Sequence, residues 1–299
     1  MKMNWTGVIP AITTAFKADY SVDHDFVARH AQWLVENRCA GVVALGSLGE
    51  SATLRFDEKV QILKTLVAAL AGKAPVVAGV AALSTREAVD LAKAAEAAGC
   101  AALMVLPPYV YSSDWREMKS HLQPVLEATS LSCMLYNNPV SYKTDFLPGQ
   151  IAELAAQHPN LHAVKESSAD VRRVTALKAL CGDRLALLVG VDDLIVEGVR
   201  AGATGWIAGL ANAFPVESVA LFQHAINGQI RPAAELYDWF LPLLRMDTVN
   251  KFVQLIKLVQ QEAWMGSELV REPRCVLVGA EREAALETLK LALAKRPKI

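Results

Sequence analysis

Eight short apolar runs, rich in β-branched residues, constrain the fold of this chain more than any other feature. They are Val8–Thr13, Gly41–Leu45, Pro75–Val80, Ala101–Leu106, Ser132–Tyr136, His162–Lys165, Leu185–Gly190 and Gly205–Ala208. None shows the polar alternation of a strand with one wet face. Each therefore reads as a strand buried on both sides, as in a parallel sheet covered by helices. Successive runs begin 20 to 34 residues apart, the size of a βα unit with short loops, and amphipathic segments fill the intervals. Asp23–Asn37 places Phe26, Val27, His30, Trp33 and Leu34 on one helical face, and Asp57–Leu70 does the same with Val60, Leu63, Leu66 and Val67. A third helix is expected over Thr85–Ala98, with Thr85 as N-cap and Gly99 just past its end. Eight βα units are what a closed barrel needs. An open doubly wound sheet is the alternative, but no glycine-rich dinucleotide turn follows the first run.

From about residue 214 the pattern is helical, over Val219–Ile226, Ala233–Leu244, Thr248–Trp264 and Glu281–Ala294, with Cys275–Val278 the one further strand-like run. The expected architecture is thus α/β: a (β/α)8 TIM barrel over residues 1–213 and a C-terminal helical extension over 214–299, packed on the barrel without a linker. Composition excludes several other classes. With 53% hydrophobic residues and a formal charge of −1, the chain is not disordered. Thirty basic against 31 acidic side chains leave no excess for nucleic acid. The longest apolar stretches, such as Cys100–Tyr111, are too short for a membrane span. No secretory segment opens the chain, and its five widely spaced cysteines read as buried thiols in a reducing cytoplasm. The six histidines show no metal-ligand spacing, so no metal site is expected.

In a (β/α)8 barrel the chemistry sits at the C-terminal ends of the strands. Lys165 is the outlier there, a lysine closing the apolar run His162–Lys165, where burial of its charge is costly. A desolvated lysine becomes a nucleophilic amine suited to Schiff-base chemistry; a lysine paired with Glu166 is the plainer alternative. Tyr136 ends the neighbouring run and could relay protons to such an amine, or it could simply plug the barrel. Gly46-Ser47-Leu48-Gly49 offers free backbone N–H groups and one hydroxyl to a carboxylate. Glu50 is expected to close that loop structurally, and Asp192-Asp193 to cap a helix over Leu194–Arg200.

Together, Gly46-Ser47-Leu48-Gly49-Glu50, Tyr136-Asn137-Asn138-Pro139, Lys165-Glu166-Ser167-Ser168 and Gly205-Trp206-Ile207-Ala208-Gly209 resemble the dihydrodipicolinate synthase / N-acetylneuraminate lyase superfamily. The resemblance spans roughly residues 5 to 265. It implies a TIM barrel, usually a homotetramer built as a dimer of dimers, and a small carboxylate substrate with no cofactor. It makes Lys165 the Schiff-base lysine and Tyr136 the proton-relay tyrosine. Ser47 and the Leu48 backbone would bind the substrate carboxylate, with Ile207 also in the pocket. Thr13, Tyr109, Asn138 and Ser141 are further candidates.

Departures from the synthase pattern shape the expectation. Leu48 replaces a hydroxyl residue, the tyrosine contributed across the dimer interface falls near Val110 between Tyr109 and Tyr111, and the arginine for a second carboxylate falls at Ser141. With Gly190-Val191-Asp192-Asp193 and Asn212-Ala213-Phe214-Pro215, the pattern is most similar to 1-pyrroline-4-hydroxy-2-carboxylate deaminases of hydroxyproline catabolism. That resemblance implies attack of Lys165 on C2 of a cyclic imine, loss of the 4-hydroxyl, and hydrolysis to ammonia and 2,5-dioxopentanoate. A dihydrodipicolinate synthase-like enzyme, a pyruvate-dependent 2-keto-acid aldolase or dehydratase, and a non-catalytic binding barrel are the alternatives.

Overall fold

A computed structural model describes residues 3–108 and 114–299. Among them eight strands form one all-parallel sheet: β1 (Gly7–Pro10), β2 (Val42–Ala44), β3 (Val76–Val80), β4 (Ala102–Val105), β5 (Ser132–Asn137), β6 (Leu161–Glu166), β7 (Ala186–Val189) and β8 (Gly205–Ala208). Neighbours follow sequence order, and β1 pairs with β8 from Gly7↔Gly205 to Pro10↔Ala208. A bridge between Ala11 and Val43, with Ile12 N donating to Val43 O at 2.9 Å, closes β1 onto β2. The eight apolar runs are therefore the eight staves of a TIM barrel. Their side chains are buried on both faces, as Val42, Val77, Leu103 and Val164 show, because helices cover the outside and the staves fill the inside.

The barrel helices are α1 (His24–Glu36), α2 (Phe56–Leu70), α3 (Thr85–Ala97), α4 (Trp115–Glu127), the single turn α5 (Pro139–Tyr142), α6 (Pro148–Gln157), α7 (Arg172–Cys181), α8 (Ile195–Arg200) and α9 (Pro215–Ile226). Helix α2 turns Ile62, Leu63, Leu66 and Leu70 inward, each such side chain contributing roughly 1.5–3 kcal/mol of burial. Ser84, not Thr85, caps α3, its side chain accepting from Glu87 N. The hydroxyl of Thr85 instead meets His121 Nδ1 at 3.0 Å. Helix α9 lies against β1 and α8 and so completes the eighth βα unit. Helices α10 (Ile230–Leu244), α11 (Phe252–Glu262) and α12 (Gly279–Ala294) follow. Cys275–Val278 is not a strand.

Helix α11 is fastened to the catalytic end of the barrel by polar contacts. Lys257 Nζ lies 2.8 Å from Glu50 Oε1 and donates to Thr14 O at 2.9 Å, with both charged side chains almost fully enclosed. Glu50 also accepts from Arg271 N. Among the described residues this carboxylate bonds no group of the strand-two loop itself; it ties that loop to the C-terminal segment through Lys257 and the Arg271 amide. Gln260 of the same helix takes the hydroxyl of Thr13 at 2.8 Å. The turn joining α10 to α11 is consequently held beside the mouth of the barrel, where Asp247 lines the cavity.

Candidate active site

A cavity of about 810 Å³ opens at the C-terminal ends of the strands, and Lys165, Tyr136, Ser47, Leu48 and Ile207 all line it. Lys165 and Tyr136 are register partners on β6 and β5. Alternation along a strand sends paired residues to the same face, so both point inward. Lys165 Nζ stands 3.9 Å from the centroid of the Tyr136 ring. Among the described residues no carboxylate lies within salt-bridge distance of this amine. Glu166 faces away, accepting from Ser168 N at 2.7 Å and Asn137 Nδ2 at 3.2 Å, so the plainer reading of Lys165 as its ion-pair partner is not realised. Burial lowers the lysine pKa to about 8, against the opposing pull of Asp247 and Asp192.

Burial likewise pushes the Tyr136 phenol up to about 12. Its hydroxyl accepts from Asn138 Nδ2 at 2.9 Å, and its ring packs edge-on against Tyr142 at 5.9 Å. Asn138 also caps α5, its Oδ1 accepting from Ser141 N at 3.0 Å. Tyr142, unremarked in the sequence, ends that single turn and shares a hydrogen bond with Ser47 Oγ. In the strand-two turn the Ser47 and Leu48 amides donate to no acceptor among the described residues, while the neighbouring Glu50 N donates to Ser47 O. Unspent N–H groups beside a hydroxyl form a seat for an anionic oxygen.

Not every sequence candidate joins this group. Thr13 spends its hydroxyl on Gln260 and its amide on Asn212 Oδ1, and it does not line the cavity. Ser141 lines the mouth and brings no guanidinium there. Tyr109 lies outside the described residues. Asp192 does not cap α8. Its carboxylate crosses to the end of β8 and accepts from Trp206 Nε1 at 2.9 Å, Gly209 N at 3.1 Å and Leu210 N at 2.8 Å. Burial still raises its pKa to about 6. Asp193 faces Arg245 at 3.6 Å. No cluster of three His, Cys, Asp or Glu side chains suited to a metal ion occurs among the described residues. No helix among them is long and apolar enough to cross a membrane.

Asp247 is the site residue that the sequence does not announce. Burial and the nearby Asp192 hold its carboxyl well above the usual carboxylate range, with Lys165 pulling the other way. Backbone space at the site is equally particular. A Cβ at Gly190 would stand 2.4 Å from Lys165 Cε, and one at Gly209 would stand 2.2 Å from Asp247 Oδ1. Both positions give the charged side chains room that only glycine leaves.

The model of the dihydrodipicolinate synthetase family matches residues 4–292. The 4-hydroxy-tetrahydrodipicolinate synthase of Caldicellulosiruptor saccharolyticus is 31% identical over 285 residues, covering 95% of this chain and 94% of that relative. A chloride-inhibited dihydrodipicolinate synthase from Acinetobacter baumannii, solved in complex with pyruvate, superposes with a TM-score of 0.92 at 28% identity over 97% of this chain and 99% of that one. A monomeric dihydrodipicolinate synthase variant gives a TM-score of 0.90 at 25% identity over 97% and 96% of the two chains. With a matching barrel, nearly full coverage and a lysine-tyrosine pair buried at its mouth, this chain belongs to the dihydrodipicolinate synthetase family.

Proposed function

We propose that the chain is a Schiff-base lyase with Lys165 as nucleophile, acting on 4-hydroxy-1-pyrroline-2-carboxylate to give ammonia and 2,5-dioxopentanoate. The observation that carries the reading is the buried Lys165 amine, with no carboxylate in salt-bridge range among the described residues, at 3.9 Å from the Tyr136 ring in a cavity with an anion seat. With a pKa of about 8, roughly one-tenth of such a lysine is neutral at pH 7, against about 0.03% of an ordinary lysine. The Ser47 hydroxyl and the Ser47 and Leu48 amides hold the substrate carboxylate. Leu48 and Ile207 supply apolar walls suited to a small carbon ring.

Lys165 Nζ adds to C2 of the imine, and one of its protons passes to the ring nitrogen. Tyr136 then donates its hydroxyl proton to that nitrogen as the C2–N bond breaks, leaving an iminium on Lys165. The phenolate takes the C3 proton, and the electrons of the C3–H bond form an enamine. The enamine electrons form the C3=C4 bond, and the C4 hydroxyl takes a proton from an acid of the site and leaves as water, restoring the iminium on Lys165. A proton shift from C5 to C3 turns the C3=C4 bond into a C4=C5 enamine, protonation at C4 gives a C5=N imine, and hydrolysis of the two C=N bonds then releases the dioxo acid and ammonia. Asn138, hydrogen-bonded to the Tyr136 oxygen, orients the relay.

A second reading, condensation of pyruvate by a 4-hydroxy-tetrahydrodipicolinate synthase, is favoured by the names of the relatives and by the pyruvate complex of the Acinetobacter enzyme. Leu48 weighs against it, since it offers no hydroxyl, and Ser141 places a hydroxyl where a guanidinium would grip a second carboxylate; Lys143 and Arg274, which also line the cavity, weigh the other way. The deciding experiment gives the enzyme 4-hydroxy-1-pyrroline-2-carboxylate in one arm, and pyruvate with aspartate semialdehyde in the other. Ammonia release that is faster than condensation supports the deaminase; condensation without ammonia transfers the assignment to the synthase. We also propose the homotetrameric assembly, a dimer of dimers, which light scattering would read directly.

A further inference from the structure

Asp247 occupies the turn between α10 and α11 and lines the cavity on the β8 side of Lys165, whereas Tyr136 stands on the β5 side. Among the described residues no donor is hydrogen-bonded to either of its oxygens, and no cation lies within 4.0 Å of them. Its neighbour Asp192 takes the amides of Gly209 and Leu210 and the Trp206 indole. Those three donors satisfy Asp192 as an anion and leave Asp247 none. Glycine at 209 is what admits the carboxyl group, since a Cβ there would stand 2.2 Å from Oδ1. Two carboxyl groups with such unequal hydrogen bonding divide their roles: the one that accepts from three donors keeps the negative charge, and the unpartnered one keeps a proton. Burial and the charge of Asp192 act on Asp247 in that same direction.

We propose that Asp247 is a catalytic acid that protonates a substrate hydroxyl two carbons from the Schiff-base carbon, making this site selective for dehydration. This rests on the Schiff-base reading given above. In the step, the enamine electrons form the C3=C4 bond and the C4–O bond breaks. The Asp247 O–H proton moves to the departing oxygen, so that water leaves, the lysine nitrogen is again part of an iminium, and Asp247 is left as a carboxylate. Solvent at the cavity mouth returns its proton. The substrates this selects are 2-imino or 2-oxo acids with a hydroxyl at C4. An ionised Asp247 would instead take the hydroxyl proton and favour C3–C4 cleavage to pyruvate, so the products report its protonation state.

The test compares the wild type with Asp247→Asn in two assays. Pyruvate with borohydride measures Schiff-base formation at Lys165 on a compound that has no hydroxyl to lose. 4-Hydroxy-1-pyrroline-2-carboxylate measures ammonia release. Asp247→Asn should still be labelled by pyruvate on Lys165, while kcat for ammonia falls about 10²- to 10⁴-fold, the range for loss of a general acid. Borohydride should then trap on Lys165 of the variant an adduct heavier by one water than the dehydrated species, which a merely structural role would not produce. Wild-type ammonia release by a pyruvate-competent Asp247→Asn overturns the proposal, as does pyruvate as the wild-type product. Failure of pyruvate to label Lys165 in the wild type overturns the Schiff-base reading itself, and this proposal with it.

Discussion

Replacing Gly190 with alanine tests how tightly the barrel holds its reactive lysine. The added Cβ would lie 2.0 Å from Ser167 Oγ, 2.4 Å from Lys165 Cε and 2.7 Å from Lys165 Cγ, whereas carbon atoms in contact sit roughly 3.5–4.0 Å apart. Ser167 Oγ, the end of a short side chain, can rotate away. The Lys165 stem rises from the buried end of β6 and must shift by more than about 1 Å. Overpacking of this kind costs about 1–3 kcal/mol, and in a chain of this size each kcal/mol lowers Tm by roughly 2–4 °C. A misplacement of about 1 Å costs on the order of 10²-fold in reactivity. Gly190→Ala should therefore remain folded, melt a few degrees lower, and be labelled by pyruvate and borohydride about 10²-fold more slowly. Gly149→Ala is the control, because nothing lies within 4 Å of its added Cβ; it should label at the wild-type rate. A Gly190→Ala enzyme as reactive as the wild type would refute the argument that this glycine exists to seat Lys165.

Two other outcomes follow from buried charge. The neutral amine is the nucleophile, so labelling of Lys165 should rise about tenfold per pH unit at low pH and level off above about pH 8, the value to which burial lowers its pKa; a rate still climbing toward pH 10 would show an ordinary, solvated lysine. Lys257→Ala removes the nearer cation from the Glu50 carboxylate, which is fully enclosed and bound to Lys257 at 2.8 Å, and leaves it, among the described residues, only the Arg271 amide and Arg274 at 3.9 Å. Loss of one partner of such a pair costs about 3–5 kcal/mol, so the melting temperature should fall by about 6–20 °C, and a drop of a degree or less would refute the assigned role.

The staves of the barrel were legible because a strand buried on both faces has a sequence unlike any solvated element. Lys165 was legible for the same reason in reverse: a lysine ending such a run has no water to point into. Thr13 ends a run too, yet its hydroxyl belongs to Gln260, which lies 247 residues further along the chain. Asp192 reads as a helix cap because Leu194–Arg200 follows it, but its carboxylate accepts instead from the Gly209 and Leu210 amides at the end of β8. Asp247 gave no signal at all. It falls between two helical patterns, Ala233–Leu244 and Thr248–Trp264, where an aspartate reads as surface, and the attachment of α11 through Lys257 and Gln260 brings that turn over Gly209. Tyr142 was hidden in a similar way, since a single helical turn after Asn-Asn-Pro carries too little periodicity to show which side it presents.

The central claim is that the Lys165 amine forms the covalent intermediate. Incubating the enzyme with pyruvate and borohydride, digesting it and sequencing the labelled peptide by mass spectrometry tests this most directly. The account predicts one reduced pyruvate adduct, on Lys165, that is absent from Lys165→Arg. An unmodified Lys165, or equal labelling of the Lys165→Arg protein, would contradict it.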